Sequence, residues 1–258
     1  MKRKVTMAEL RQIQLDILDK IHEFCIEEGL RYSLGGGTLL GAVRHKGCIP
    51  WDDDIDIMLP RPDYDRFLNE FEGMCPHYVV QHYKNDDNYP LPFAKVYDDR
   101  TILIDKYIST GAFVDVFPID GLPDELSINS YIKRMDNLII SVFRNTKSVT
   151  MYSSFLRRWI KRLLFHSHTK SVERLEAYLH SYDFDSSSYA GAIIGRYHEK
   201  EYMQSKVFKK YVDINFESKT YKAIADYDLY LSKHYGNYME LPPKEKQIRD
   251  HSFEVWWK

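Results

Sequence analysis

The periodicity of this chain predicts a mixed α/β fold (α+β), with a sheet core and flanking helices first and a mainly helical C-terminal portion after it. Three observations predict it. Residues 7–28 place Leu10, Ile13, Ile17, Ile21 and Phe24 on one stripe, the 3.6-residue repeat of a helix. Residues 54–59 and 112–119 alternate with a period of two, as strands do. Residues 127–145, 169–182 and 219–235 return to helical spacing. The order helix, strand, helix, strand, helix, strands fits a mixed sheet. The chain divides near Pro123, into a core over 1–122 and a mainly helical portion over 123–258 that packs back on the core and completes its site.

Each element has a local reason. Gly29 follows the first apolar stripe and ends that helix as its left-handed residue. Leu30–Leu34 reads as a short strand that delivers the chain to Gly35-Gly36-Gly37. Thr38 is the expected cap of a second, short helix that starts near Leu39 and ends around His45–Gly47. Ile49-Pro50-Trp51 leads, extended, into a strand over Asp54–Leu59, where alternation puts Asp54 and Asp56 on one face and Ile55 and Ile57 on the other. Pro60 and Pro62 break it, and Asp63–Met74 is helical with Tyr64, Phe67, Leu68 and Phe71 as its apolar face. HYVVQHY, FAKVY, TILI and AFVDVFPI, within 77–119, read as strands separated by turn residues at 85–88 and 98–99. Ser186-Ser187-Ser188 is a loop, and no internal repeat is present.

Composition excludes several function classes. Lys and Arg number 36 against 38 Asp and Glu, so the chain has no general affinity for nucleic acid. Cys25, Cys48 and Cys75 are three, widely spaced and without a C-x-x-C pair, which argues against a disulfide framework and a structural zinc site. The start MKRKV looks like the basic end of a signal peptide, but Glu9, Arg11, Gln12, Gln14 and Asp16 interrupt the apolar stretch such a peptide needs. No apolar run approaches the ~20 residues that span a bilayer. The expected location is the cytoplasm.

The chemistry concentrates in GGGTLLGAVRHKGCIPWDDDID, residues 35–56. Gly36, Gly37 and Thr38 sit where a strand turns into a helix, the place where backbone N–H groups can receive a phosphate. The spacing is neither a Walker A loop nor a dinucleotide fingerprint. Asp54 and Asp56 at i, i+2 can share one metal ion, and four aspartates in five residues repel one another unless a cation neutralises them. Asp53 and Asp52 shape the approach or contact substrate. Asp115 lies at mid-strand among Phe113, Val114, Val116 and Phe117, an apolar setting where an acid needs a partner. It is a capping or salt-bridged acid, or else a third metal ligand, a base for an acceptor hydroxyl, or both.

A glycine turn, an acid–apolar–acid strand and a later strand acid resemble the nucleotidyltransferase-fold superfamily. More closely, GTLLGAVRHKGCIPWDDDIDIMLPRPDYDRF resembles the LicD family of phosphocholine transferases, which is related to the fukutin-related sugar-phosphate transferases. AKVYDDRT (94–101), VDVFPIDGLP (114–123) and YGNYMELPPKEKQIRDH (235–251) extend the resemblance over nearly the whole chain. It implies transfer of phosphocholine, or a related phospho-group, from a donor such as CDP-choline to a hydroxyl of a cell-surface glycan. Lipopolysaccharide and a teichoic acid precursor are both acceptors of that kind. It implies Mg²⁺, with Mn²⁺ as an alternative, held by Asp54, Asp56 and Asp115. Arg44, His45, Lys46 and Lys95 would face phosphates, and Arg249 and His251 would complete the site from the C-terminal motif. A trimethylammonium group would sit against aromatic faces, for which Trp51, Trp256, Trp257 and several tyrosines are candidates.

Phe155, Leu156, Trp159, Ile160, Leu163 and Leu164 form one face of a helical pattern whose other face carries Arg157, Arg158, Lys161 and Arg162. That pattern suits either a helix that packs its apolar face on the core and solvates its basic side, or peripheral contact with the inner face of a cell membrane, which a lipid-linked acceptor would make useful. Two other readings use the same residues. A GT-A glycosyltransferase also holds a sugar nucleotide through D-x-D, and a non-catalytic glycan-binding protein retains the fold without the reaction.

Overall fold

The computed structural model describes residues 3–104, 108–147, 167–195, 197–249 and 253–258. The basic amphipathic stretch 155–165 and His251 lie outside them. Helix α1 (Met7–Glu27) opens with a capping box, in which Thr6 and Glu9 each satisfy the other's backbone N–H. It ends in a Schellman turn: Leu30 N–H donates to Cys25 O at 2.8 Å, and Gly29 has φ +65°. Its buried stripe runs from Leu10 through Ile13, Ile17, Leu18 and Ile21 to Phe24 and Cys25.

The sheet is mixed, with strand order β1 (Ser33–Leu34), β2 (Asp56–Pro60), β5 (Ser109–Leu122), β4 (Ala94–Ile104), β10 (Val255–Trp257). β2 and β5 run parallel and the other pairs on this path are antiparallel. The strand β3 (Tyr78–Gln81) also pairs with β4, and β6 (Tyr189–Gly191) joins the far end of β5 and carries β7 (Met203–Gln204). FAKVY and TILI, expected as two strands, are one strand, β4, whose pairing with β5 shifts register between Asp98 and Leu103. The sheet therefore continues past residue 122, taking strands from the C-terminal portion.

Helix α3 (Arg61–Glu70) packs beside α1 through Phe24, whose ring lies edge-on to Phe67 and Phe71 at 6.0 and 5.3 Å. Helices α4 (Ile128–Asn145) and α5 (His168–Leu179) build a second, smaller core with Tyr83, Tyr89, Leu122, Ile193 and Ile194. Residues 219–235, expected as one helix, are a strand and then a helix. β8 (Tyr211–Phe216) and β9 (Lys219–Ile224) form a hairpin, and α7 (Tyr227–Tyr235) follows it. Tyr221 and Ala223 alternate inward along β9, and Glu217 takes φ +52° in the two-residue turn. Among the described residues, no helix is long and apolar enough to cross a membrane.

One buried ion pair ties these layers together. Arg61 at the start of α3 donates from Nε to Asp120 Oδ1 at 2.5 Å and from Nη2 to Oδ2 at 3.0 Å. Arg61 is 4% exposed and Asp120 is fully buried. Beside it, Lys84 bridges Asp65 and Glu176 at 3.3 and 2.7 Å, and His180 reaches Asp65 at 2.7 Å. Removing one member strands a charge in the interior. Asp120→Ala is expected to cost about 3–5 kcal/mol in urea unfolding, whereas Arg61→Met with Asp120→Leu recovers most of the loss. A single-variant cost under about 1 kcal/mol would show that the pair does not hold the layers.

Candidate active site

Helix α2 (Gly36–Arg44) starts one turn earlier than its sequence indicates. Gly35 is its N-cap residue, and Thr38 lies inside the helix. Thr38 Oγ1 instead accepts the backbone N–H of Asp56 at 2.8 Å, so it positions the first residue of β2. The glycines are needed because carboxylates press against this helix start. A Cβ on Gly36, whose φ is +44°, would lie 3.0 Å from Asp56 Oδ2, and one on Gly37 would lie 2.6 Å from Asp52 Oδ2.

Asp54 also departs from expectation, because β2 begins at Asp56 and Asp54 precedes it. The stretch before the strand is latched to α1. Arg11 Nη2 donates to Asp52 O at 2.6 Å, and Gln14 Nε2 donates to Asp53 O at 2.9 Å. These bonds take up carbonyls that a strand would have paired. Asp54 still converges with the two strand acids: one carboxylate oxygen each from Asp54, Asp56 and Asp115 lie within 4.8 Å of one another.

The convergence follows from strand register. Asp56 is the direct partner of Asp115 in the parallel β2/β5 ladder, and Asp115 N–H donates to Ile55 O at 2.8 Å. On the other edge of β5, Lys95 of β4 is the direct partner of Asp115. Residues side by side in a ladder project from the same face. Lys95 Nζ accordingly lies 2.5 Å from Asp115 Oδ1 and 3.4 Å from the centre of the Phe113 ring. The acid expected to need a partner has one.

Crowding of like charges marks the cluster electrostatically. Burial pushes the Asp56 carboxyl well above its ordinary value, and the charges of Asp54, Asp115 and Asp52 push it further. Asp52 is pushed up to about 7, first by burial and then by Asp54. A cation among these carboxylates would offset that crowding.

The cluster opens into a cavity of about 970 Å³. Gly36, Gly37, Arg44, Trp51, Asp54, Asp56 and Asp115 line it, so the structure brings these sequence-selected residues together. Met58 and Phe117 line it as well, while the intervening Ile57 and Val116 do not, which places the cavity on one face of β2 and β5. Its far wall comes from α4 through Asp136, from α6 (His198–Glu201), from Tyr235 at the end of α7 and from the segment 237–248 that follows. Sequence alone did not single out Asp136, Tyr197, His198 or Glu201; they stand on unrelated elements with no shared spacing.

The other selected residues lie elsewhere. Arg44 reaches the cavity, but its Nη1 donates to Tyr238 O and Glu240 O at 2.9 and 3.2 Å, tying down the far wall. His45 stands edge-on to Trp51 at 5.9 Å, outside the lining, and Lys46 is exposed on the loop after α2. Asp53 is buried outside the lining, although one of its carboxylate oxygens lies within 4.8 Å of oxygens of Asp52 and Asp54. Arg249 lines a separate cavity of about 470 Å³ beside Lys4 and Phe253. Trp256 and Trp257 belong to β10, paired with β4 at Ile102 and Thr101 and outside the main cavity.

Known proteins share this arrangement of sequence. The family described as LicD/FKTN/FKRP, nucleotidyltransferase domain, matches residues 29–142, which hold all three clustered aspartates and the glycine turn. The lipopolysaccharide cholinephosphotransferase LicD of Haemophilus influenzae is 31% identical over 272 residues, covering 98% of this chain and 99% of that protein. An uncharacterized protein of Rickettsia typhi is 33% identical over 32% of this chain and 27% of its own length. The human ribitol 5-phosphate transferase FKRP is 62% identical over 29 residues, 11% of this chain and 6% of that protein. With the relative from Haemophilus matched from end to end, and a nucleotidyltransferase-like sheet carrying the acids, the chain belongs to the LicD family.

Proposed function

We propose that this protein transfers phosphocholine, or a related phospho-group, from a cytidine diphosphate-linked donor such as CDP-choline to a hydroxyl of a cell-surface glycan. The observation that carries this reading is the convergence of Asp54, Asp56 and Asp115 beside the glycine-led start of α2, in one cavity. The relative named for choline phosphate transfer to lipopolysaccharide supports both the group and the acceptor class. The donor's nucleotide, the metal and the residue roles below are our proposal.

A divalent ion such as Mg²⁺ fits these residues. Three oxygen donors lie within reach of one another, and the crowding that raises the Asp56 carboxyl is the condition a hard cation would relieve. When bound by Asp54, Asp56 and Asp115, it would neutralise charge on the donor pyrophosphate and polarise the phosphate under attack. The chain's own groups do the rest. Backbone N–H groups at Gly36 and Gly37 orient the phosphates. Lys95 pairs with Asp115 and fixes where its carboxylate lies, a role that replaces the phosphate contact the resemblance implies. Asp115 receives the acceptor's proton as the acceptor oxygen bonds to phosphorus and cytidine monophosphate leaves.

Two outcomes test this reading. Asp56→Asn is expected to lower release of cytidine monophosphate from CDP-choline by about 10³-fold, with no loss of melting temperature in EDTA, because the variant removes a repelled charge. Near-normal turnover would show that the cluster is not the reaction centre.

The second is a pH dependence. The Asp52 and Asp56 carboxyls titrate above their unfolded values, so the folded state binds more protons than the unfolded one between ordinary carboxylate pH and about 7. Their contribution to stability therefore falls as pH rises through that window. Melting temperatures from pH 5 to 8 in EDTA should decline relative to those in MgCl₂, where the ion takes the place of the protons. Parallel curves in the two media would remove the metal from the account.

A further inference from the structure

The cavity holds one more buried carboxylate, for which the transfer chemistry above has no use. Glu201 ends α6, is 7% exposed and lines the same cavity as the aspartate cluster. Its Oε1 accepts the Tyr230 hydroxyl at 3.3 Å and lies 2.8 Å from His234 Nε2, without alignment of the imidazole N–H. Its Oε2 is buried and, among the described residues, has no hydrogen-bond donor. A buried carboxylate oxygen without a donor is costly. A cation in the cavity would stabilise this desolvated negative charge without supplying a hydrogen bond.

The surroundings say which kind. Tyr197 and Tyr235 line the cavity here, their rings 6.2 and 5.9 Å from His234. Tyr197 already draws a cation, with Lys200 Nζ 5.5 Å from its ring centre. Further along the wall, Phe117 lies against Phe93 at 4.3 Å. Ring faces with one anionic pole suit a cation that cannot donate hydrogen bonds, because such a cation gains from charge and quadrupole alone.

Position agrees with this chemistry. The Tyr230 hydroxyl that meets Glu201 also contacts Met58 Sδ at 3.5 Å, and Met58 follows Asp56 by two residues on the same strand face. Tyr235 lines the same cavity as both Asp56 and Glu201. In phosphocholine the nitrogen is two carbons beyond the ester oxygen. A phosphate at the aspartate cluster would leave the nitrogen in the cavity that Tyr197, Glu201 and Tyr235 also line. We propose that Glu201, flanked by Tyr197 and Tyr235, is the subsite for the quaternary ammonium of the transferred group. This assignment rests on the phosphocholine reading, and it replaces Trp256 and Trp257 with residues of the cavity itself.

Calorimetric titration of the full chain with CDP, CDP-glycerol and CDP-choline, each with Mg²⁺, tests it. The wild type should prefer CDP-choline to CDP-glycerol by about 10-fold, the scale of a desolvated cation–π contact. Glu201→Gln should reduce that preference to less than about 2-fold and leave CDP affinity unchanged. A preference that persists in folded Glu201→Gln, or is missing from a wild type that binds CDP, overturns the subsite. If Glu201→Gln does not fold, Tyr197→Leu decides: Tyr197 is 42% exposed, and loss of preference in that variant supports the subsite while retention overturns it. If the wild type binds no cytidine nucleotide, the donor reading fails on its own. Tetramethylammonium chloride against matched sodium chloride then reads the subsite directly. A rise in melting temperature lost in Glu201→Gln supports it, and no rise in the wild type overturns it.

Discussion

The active cavity depends on one register: Asp56 of β2 opposite Asp115 of β5, with Lys95 of β4 opposite Asp115 on the other side. A shift of one residue in either ladder would turn an acid or the lysine to the opposite face. Three charged side chains in a row across a sheet are unfavourable unless their charges alternate or a cation joins them. Here Lys95 compensates Asp115, and Asp56 remains crowded by Asp54 and Asp52. On the proposed reading, that residual repulsion is what a bound cation would relieve.

The rest of the structure holds this register and the loop before it. Arg11 and Gln14 of α1 fasten the carbonyls of Asp52 and Asp53, and Thr38 fastens the N–H of Asp56. The hairpin turn reaches the loop after α2, where Cys48 N–H donates to Glu217 Oε1 at 2.7 Å and Glu217 N–H donates to Lys46 O at 2.9 Å. At the other end of β5, the Arg61–Asp120 pair anchors α3. The acidic stretch is therefore held from three sides before any ligand arrives, which spares the reordering entropy that a loose loop would lose on binding.

Much of this was legible in the residues. The α1 stripe and its end at Gly29 stand almost where their spacing puts them, because capping and burial act together there. Asp115 announced itself as an acid among aromatic and branched neighbours. What was not legible came from contacts between distant elements. Nothing local shows that Thr38 serves Asp56 rather than capping α2, or that side chains of α1 draw Asp54 out of the strand. The β8–β9 hairpin lacks an Asn-Gly or Asp-Gly turn, and Glu217 adopts the left-handed conformation in its place. Lys95 read as a phosphate ligand because its neighbour across the ladder is twenty positions away. Glu201 had no signal, since a four-residue helix has no periodicity and its partners sit on α7.

The central claim is that the two strand acids and Asp54 form a divalent-cation site. Anomalous diffraction from crystals soaked with Mn²⁺ and cytidine diphosphate tests it most directly. The account predicts one strong peak bounded by Asp54, Asp56 and Asp115, with the nucleotide's phosphates toward Gly36 and Gly37. A nucleotide seated in the cavity with no peak among these three carboxylates would contradict it.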